Sequence, residues 1–373
     1  MNIIEPKGRI AVLLDEIAEQ EADWNDPAAA TSTRDVTAAL SGLGYEPIEV
    51  RYRPREGSEW LRRLADGGFR CAFNLCETVG GEADGEHLAA ASVEFLGLPI
   101  TGARASTLLY CLDKDLCSAV LRSHGVPVPE WRYVAEDEGP GDWNLFPAIV
   151  KPMAEDASNG VHATSVAWTR DELQGAVRSL QESWGDLIVQ RFIEGREINL
   201  AMVGHHILPP AEIDFSTLPD GSPPIVTFEA KWVPGSLEDR GTRPICPAPL
   251  EPHVAARLQE LAAQAWSLVG GEGYARVDIR LSQRGVPYVI DINPNPDLSI
   301  DAGLARQARV AGWSYETLVE MIVDDAFRRS GHPQGNGTGP GRSGQPTAAG
   351  ASAEDLPGEG WVYLPAVSQV EAL

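Results

Sequence analysis

Two acids and a carboxamide, Asp278, Asp291 and Asn293, lie within the stretch YARVDIRL-SQRG-VPYVIDINPNPD, residues 274–297. Two alternating runs around a four-residue turn predict a β-hairpin. Strand side chains alternate with period two, so Arg276, Asp278 and Arg280 share one face while Val277, Ile279 and Leu281 share the other. On the second strand Asp291 and Asn293 face opposite to Ile290 and Ile292. A turn centred near 284–285 sets Asp278 across from Asp291 and Arg276 across from Asn293. Like charges opposed across a sheet repel unless a cation lies between them, and hard oxygen ligands of this kind suit Mg²⁺ bridging phosphates. Asp278, Asp291 and Asn293 are therefore a candidate magnesium site. The competing arrangement is a charged solvent face on which Arg276 neutralises the acids.

Lysine is the second signal. The 30 basic residues include only Lys7, Lys114, Lys151 and Lys231, the remainder being arginine. Lys151 ends the strand FPAIVKP just before the loop PMAEDASNG, whose small residues, Ser158 among them, let backbone N–H groups approach a phosphate beside the ammonium. Lys114 lies in CLDKDL and Lys231 in FEAKW. A third segment, IVQRFIEGREINL (188–200), reads as strand, GR turn and strand; such a link can offer backbone groups to an adenine edge and Glu197 to ribose hydroxyls. No Ser-His-Asp or Cys-His arrangement stands out, and the seven histidines show no metal spacing. Covalent hydrolase chemistry is disfavoured.

The elements that must position these residues alternate. A strand at 8–14, a helix at 32–44, a strand at 46–50, a buried strand at 71–77 and a helix at 86–97 make a parallel α/β opening. It carries no GxGxxG after its first strand. A helix at 112–124, strands at 146–152 and 186–193 and a helix at 170–183 follow. Strands joined by turns dominate 197–300, interrupted by a helix at 251–269 and a long irregular segment at 232–248, and a helix at 314–329 closes the body. The acidic stretch DEIAEQEADWND (15–26) reads as a solvated loop. Gly and Pro crowd residues 331–360, which predicts a disordered tail, with WVYLPAV (361–367) either dangling or docking back.

Composition bounds the partners. A chain of 373 residues suits two or three cores. The formal charge of −24 excludes the basic footprint that nucleic acid or an anionic membrane surface requires. Neither a span of about 20 apolar residues nor a signal-peptide layout is present, so a cytoplasmic location is expected. Five cysteines without a CxxC pair read as reduced thiols.

Taken in order, FNLCETVGGEADGE, LGLPITG, LYCLDK, FPAIVKP, LIVQRFIEGREINL, LPPAEIDF, FEAKW, CPAPL, GYARVDIR and VIDINPNPDLS resemble the ATP-grasp superfamily, and within it the D-alanine:D-alanine ligase group. The resemblance, spanning about residues 8–325, implies an α/β and α+β fold of three domains: an N-terminal parallel α/β domain (1–103), a small central lid (104–190) and a C-terminal antiparallel-sheet catalytic domain (191–330), followed by the tail (331–373). It implies ATP and Mg²⁺, with Mn²⁺ an acceptable substitute, small-molecule carboxylate and amine substrates, and a homodimer as one assembly. Lys114 and Lys151 would contact phosphates, Gln190, Arg191 and Ile193 would line adenine, and Glu197 would bind ribose. Asp278, Asp291 and Asn293 match the magnesium ligands, Arg276 the arginine at the tetrahedral intermediate and Lys231 the lysine of a closing loop.

The implied reaction makes an amide through an acylphosphate, releasing ADP. The departures concern substrate: Thr33, Ala157, Trp232, Asp297 and Ala302 stand where the family carries a glutamate, a serine, a tyrosine, a glycine and a serine. They favour a ligase for substrates other than D-alanine, with Asp297 and the loop at 15–30 offering a place for a cationic amine. An authentic D-alanine:D-alanine ligase and a non-catalytic nucleotide-binding module are the alternatives.

Overall fold

A strand buried on both faces is continuously apolar, and residues 10–14 (IAVLL) are such a run. In the computed structural model, which describes residues 7–15, 27–81 and 83–331, they lie in β1 (Gly8–Asp15) at the centre of a parallel sheet ordered β2-β1-β3. Helix α1 (Pro27–Gly42) leads to β2 (Tyr45–Tyr52), and α2 (Ser58–Asp66) to β3 (Phe69–Asn74), because parallel strands need crossovers. Ile10 and Val12 pack with Val36 and Leu40 of α1, while Ala11 and Leu13 join Trp60 and Leu64 of α2 and Val93 of α3 (Glu86–Phe95). Helix α2, which periodicity did not announce, buries only Trp60 and Leu64, one turn apart. The third strand stops at Asn74 rather than 77, since Asn74 turns its side-chain oxygen onto the Cys76 amide at 3.2 Å. The acidic stretch beyond Asp15 and the Gly/Pro-rich segment, WVYLPAV included, lie outside the described residues.

A helix that was not anticipated, α4 (Ala105–Leu112), precedes the one expected at 112–124, which is α5 (Lys114–Ser123). Asp113 is extended between them and caps the second by accepting the Leu116 amide at 2.9 Å, the work for which aspartate is favoured at an N-cap. Lys114 is thereby placed at a helix start. Strands β4 (Trp131–Val134), β5 (Ala148–Pro152) and β6 (Val166–Ala167), then α6 (Arg170–Trp184) and β7 (Leu187–Arg191), build an antiparallel sheet ordered β4-β7-β5-β6. Leu173, Val177 and Leu180 of α6 cover one face with Ala148, Val150, Leu187 and Val189, so Ile149, Lys151 and Gln190 fall on the other.

The third sheet is ordered β11-β10-β8-β12-β13 with β9 beside β8. Its members are β8 (Gly195–Val203), β9 (His206–Ile207) and β10 (Ala211–Asp214), then, after helices α7 (Phe228–Trp232) and α8 (Leu237–Gly241), β11 (Arg243–Ile245). Helix α9 (Pro252–Leu268) precedes β12 (Tyr274–Ser282) and β13 (Pro287–Asn293). The segment read as irregular at 232–248 thus holds α8 and β11. Residues Gly195 and Arg196 open β8 instead of forming a turn: a Cβ on Gly195 would come within 2.1 Å of the Leu281 carbonyl oxygen, so glycine lets the two strands close at that point. Leu258, Ala262 and Trp266 of α9 pack with Ile198, Leu200, Val277 and Ile279 on one face. Two helices complete the body, α10 (Gly303–Val310) and α11 (Tyr315–Arg329); Ile322, Val323 and Phe327 of α11 share a core with Ile10 and Val12. The architecture is the mixed parallel and antiparallel one that the sequence led us to expect.

Candidate active site

The hairpin register is the expected one: Arg276 opposes Asn293 and Asp278 opposes Asp291. It is reached differently, however. Near the turn Leu281 pairs Pro287 and Ile279 pairs Val289, and a β-bulge between Asp278 and Ile279 then takes up one extra residue, Ile290. The bulge brings Ile290 to the cavity wall with Asp291, while Ile292 stays in the core at 2% exposure. Strict alternation had put both isoleucines on the apolar face.

Arg276 grips both oxygens of Asp278, at 2.7 and 2.9 Å, and Asn199 of β8 donates to the same carboxylate at 2.7 Å. Burial disfavours the Arg276 charge, but Asp278 outweighs it and raises the guanidinium pKa. Asp291 accepts the Ile292 amide at 3.1 Å, and Asn293 accepts the Asn295 amide at 3.0 Å.

The central sheet supplies the facing wall. Lys151 projects from β5, and burial holds its ammonium below the ordinary lysine range, with Asp291 the main opposing charge. The Lys114 ammonium donates to the Glu155 carbonyl and lies 3.8 Å from Asp156, whose carboxyl burial pushes up and Lys114 pulls down. Gln190 is 4% exposed beside Ile149. The Arg191 and Phe192 amides donate to the Glu130 and Pro147 carbonyls at 2.8 Å each, so in this link the N–H groups of the first two residues are already bonded. Glu197 pairs with Arg280 at 3.0 Å across β8 and β12, and Arg280 stacks near Phe192 and Phe215. Burial raises the Glu197 carboxyl and lowers the Arg280 guanidinium, each opposed by its partner.

A segment after β10 borders the cavity, which Ile225, Val226, Ala230 and Lys231 help to line. Ala157 and Ser158 are consecutive non-glycine residues with φ of 57° and 64°, a conformation that persists only where the surroundings fix it. The Trp232 indole N–H does so by donating to the Ala157 carbonyl at 3.0 Å. Lys231, next to it on α7, keeps solvent contact although protein crowds it; that crowding first, then Arg276, lowers its ammonium pKa.

All twelve residues picked out from the sequence, Lys114, Lys151, Ser158, Gln190, Arg191, Ile193, Glu197, Lys231, Arg276, Asp278, Asp291 and Asn293, line one cavity of about 260 Å³. Asp156, Asn199 and Arg280 line it too and were missed. Arg280 lies two residues beyond Asp278 and Asn199 two beyond Glu197, so strand alternation carried a signal for both. The Asp156 signal lay only in its neighbour Ser158.

Beyond the cavity, Asp297 joins α1 to the loop after β13. Its Oδ1 accepts from the Ser32 hydroxyl at 2.7 Å and from the Ser299 amide and hydroxyl at 2.8 and 2.6 Å. That oxygen is occupied by internal bonds, and Ala302 caps α10 without a side-chain bond.

Residues 120–324 match the family model described as the D-ala D-ala ligase C-terminus. The chain is 34% identical over 263 residues to the uncharacterized protein y4sG of Sinorhizobium fredii, covering 69% of this chain and 74% of that one. It is 30% identical over 325 residues to a D-alanine–D-alanine ligase of Pseudothermotoga lettingae, covering 86% and 100%. Among solved structures, the D-alanine–D-alanine ligase of Bacillus anthracis complexed with ATP superposes with a TM-score of 0.69 at 20% identity, over 87% of this chain and 98% of that one. Fold and family together define an ATP-grasp enzyme. The chain belongs to the D-alanine:D-alanine ligase-like family, and with it to the ADP-forming ligases that make carbon–nitrogen bonds.

Proposed function

We propose that this enzyme uses ATP and Mg²⁺ in the cytoplasm to join a small carboxylate to an amine, and that the pair is not two molecules of D-alanine. The observation that carries the reading is the meeting of Lys114, Lys151, Arg276, Asp278, Asp291 and Asn293 around one cavity. The donor set fits magnesium: three oxygen-bearing side chains share the cavity face of one hairpin, and their small number leaves coordination positions for phosphate and water. Asp278, Asp291 and Asn293 would hold the ion, which when bound neutralises phosphate charge.

The chain's own groups then position and neutralise. Lys114 and Lys151 set point charges beside the phosphates, and Ser158 offers its loop to the same groups. Gln190, Arg191 and Ile193 border adenine, and Glu197, held by Arg280, accepts from ribose. Phosphorylation of the substrate carboxylate gives an acylphosphate; attack by the amine expels phosphate and leaves an amide and ADP. Arg276 faces the carbonyl oxygen on which negative charge develops as the amine adds to the acyl carbon, and Lys231 covers it from α7. The preference against D-alanine rests on the side beyond the cavity, where the Asp297 oxygen is taken up by Ser32 and Ser299 and Ala302 offers no hydroxyl.

A pooled screen of amino acids, peptides and amines for ADP and phosphate release, with mass spectrometry of products, tests this. Turnover with an acid–amine pair and none with D-alanine alone supports the proposal. Release driven by D-alanine alone would establish the alternative, which the relatives named as D-alanine–D-alanine ligases favour. Nucleotide binding with no turnover on any pair would point to a binding module.

A further inference from the structure

Helix α7 is five residues long and buries none of them, so neither length nor core packing holds it in place. Its attachments run to the loop between β5 and β6. The Phe228 amide donates to the Val161 carbonyl at 2.7 Å, the Trp232 indole reaches Ala157, and His162 Nδ1 lies 2.7 Å from Glu229 Oε1. Only the last of these joins two side chains.

Both partners are themselves fixed. The His162 amide donates to the Ser165 hydroxyl at 3.0 Å and its carbonyl accepts the Ser165 amide at 2.9 Å. The Phe228 ring sits 6.0 Å from the imidazole. On the other side, the Glu229 carbonyl accepts from the Ser236 hydroxyl and the Val233 amide, while the Thr227 hydroxyl caps the helix. The Glu229 carboxyl lies below the usual range: burial pushes it up, but its own backbone N–H, then His162 and Thr227, outweigh that.

We propose that His162 and Glu229 are positioning residues that set Lys231 over the cavity by tying its helix to the loop carrying Ala157 and Ser158. Neither residue of the pair lines the cavity, while Lys231, two residues after Glu229, and Ser158, four before His162, both do. The proposal rests on the ligase reading only in giving Lys231 a nucleotide to cover; the tie itself is independent of any ligand. A hydrogen bond to a charged group that solvent partly screens, once lost, changes a local opening equilibrium by about threefold to tenfold.

The test uses the full chain and follows tryptic cleavage after Lys231 by mass spectrometry, without nucleotide and with Mg-ATP. His162→Ala and Glu229→Ala are expected to speed that cut about threefold to tenfold without nucleotide while leaving the thermal midpoint in place. The double variant should be no faster than either single one. His162→Asn, which keeps a donor near the Nδ1 position, and Glu229→Gln, which keeps the acceptor, should restore much of the protection. Unchanged cleavage in the alanine variants, or independent additive effects of the two, would overturn the proposal. Failure of Mg-ATP to bind the wild-type enzyme would instead count against the ligase reading, with the nucleotide-free comparison still deciding the pair.

Discussion

Asp278 and Asp291 oppose each other across the β12–β13 hairpin, yet Arg276 is clamped on Asp278 alone. Among the described residues no ion pair reaches Asp291. The two acids are therefore not equivalent, although their spacing in the sequence presents them as a matched pair.

The inequality predicts different losses. Asp291→Asn should leave the unfolding midpoint nearly unchanged and weaken Mg-ATP binding by at least about tenfold, the scale on which metal sites respond to altered ligation. Asp278→Asn should in addition cost about 2 kcal/mol of stability, because the Arg276 guanidinium loses a charged partner. Calorimetric titration with Mg-ATP and with ATP in chelator, beside urea unfolding, separates the two. Equal effects of both variants on both measurements would contradict the assignment.

Arg280 and Glu197 offer a sharper stability test. Arg280 is 2% exposed, and the opposed shifts of the two groups show that pairing only partly offsets their burial. Arg280→Met strands a carboxylate inside the sheet and should cost about 3–5 kcal/mol in urea denaturation. Adding Glu197→Gln should recover a large part of that. A double variant no more stable than Arg280→Met would show that packing against Phe192 and Phe215, rather than charge, sets the loss.

The hairpin was legible because a period-two pattern around a short turn admits few registers, and the lysines because there were so few of them. The bulge at Ile290 was not, since neither glycine nor proline marks it; it follows from how β13 meets β12. Helix α4 went unread, and Asp113 looked like the first turn of the helix after it because the apolar spacing runs on through it; only its cap on Leu116 sets that helix's start at Lys114. The bonds to Asp297 from Ser32, 265 residues away, exist only in three dimensions. Helix α10 was missed for a similar reason, because Leu304, Ala305 and Ala308 become a buried face only once α11 packs beside them.

Glu86 predicts a pH dependence. It is 5% exposed, accepts from Asn295 at 2.8 Å, and burial first, then Asp156, raises its carboxyl well above the usual range. A folded-state pKa above the unfolded value means that the ionised group destabilises the fold at high pH. The penalty fades as pH falls through the folded pKa toward the unfolded one near 4.3. Glu86→Gln keeps the acceptor and removes the charge, so it should raise the thermal midpoint at pH 8 by about 2–4 °C. The gap from wild type should shrink as the buffer is taken toward pH 5. A gap that is constant with pH would show that Glu86 is already neutral at pH 8 or that the gain is not electrostatic.

Ile290 and Ile292 separate strand alternation from the observed bulge. If both faced the core, truncating either would open a cavity and cost about 2–5 kcal/mol. With Ile290 turned to the cavity wall, Ile292→Ala alone should carry that cost. Ile290→Ala should change the urea midpoint little, since the side chain is already partly exposed, but should weaken Mg-ATP binding about tenfold through lost apolar contact, worth about 1–2 kcal/mol. Its response to removal of magnesium should match wild type, because Asp278 and Asp291 keep their pairing. Stability loss from Ile290→Ala as large as that from Ile292→Ala, with binding intact, would return Ile290 to the core and remove it from the site.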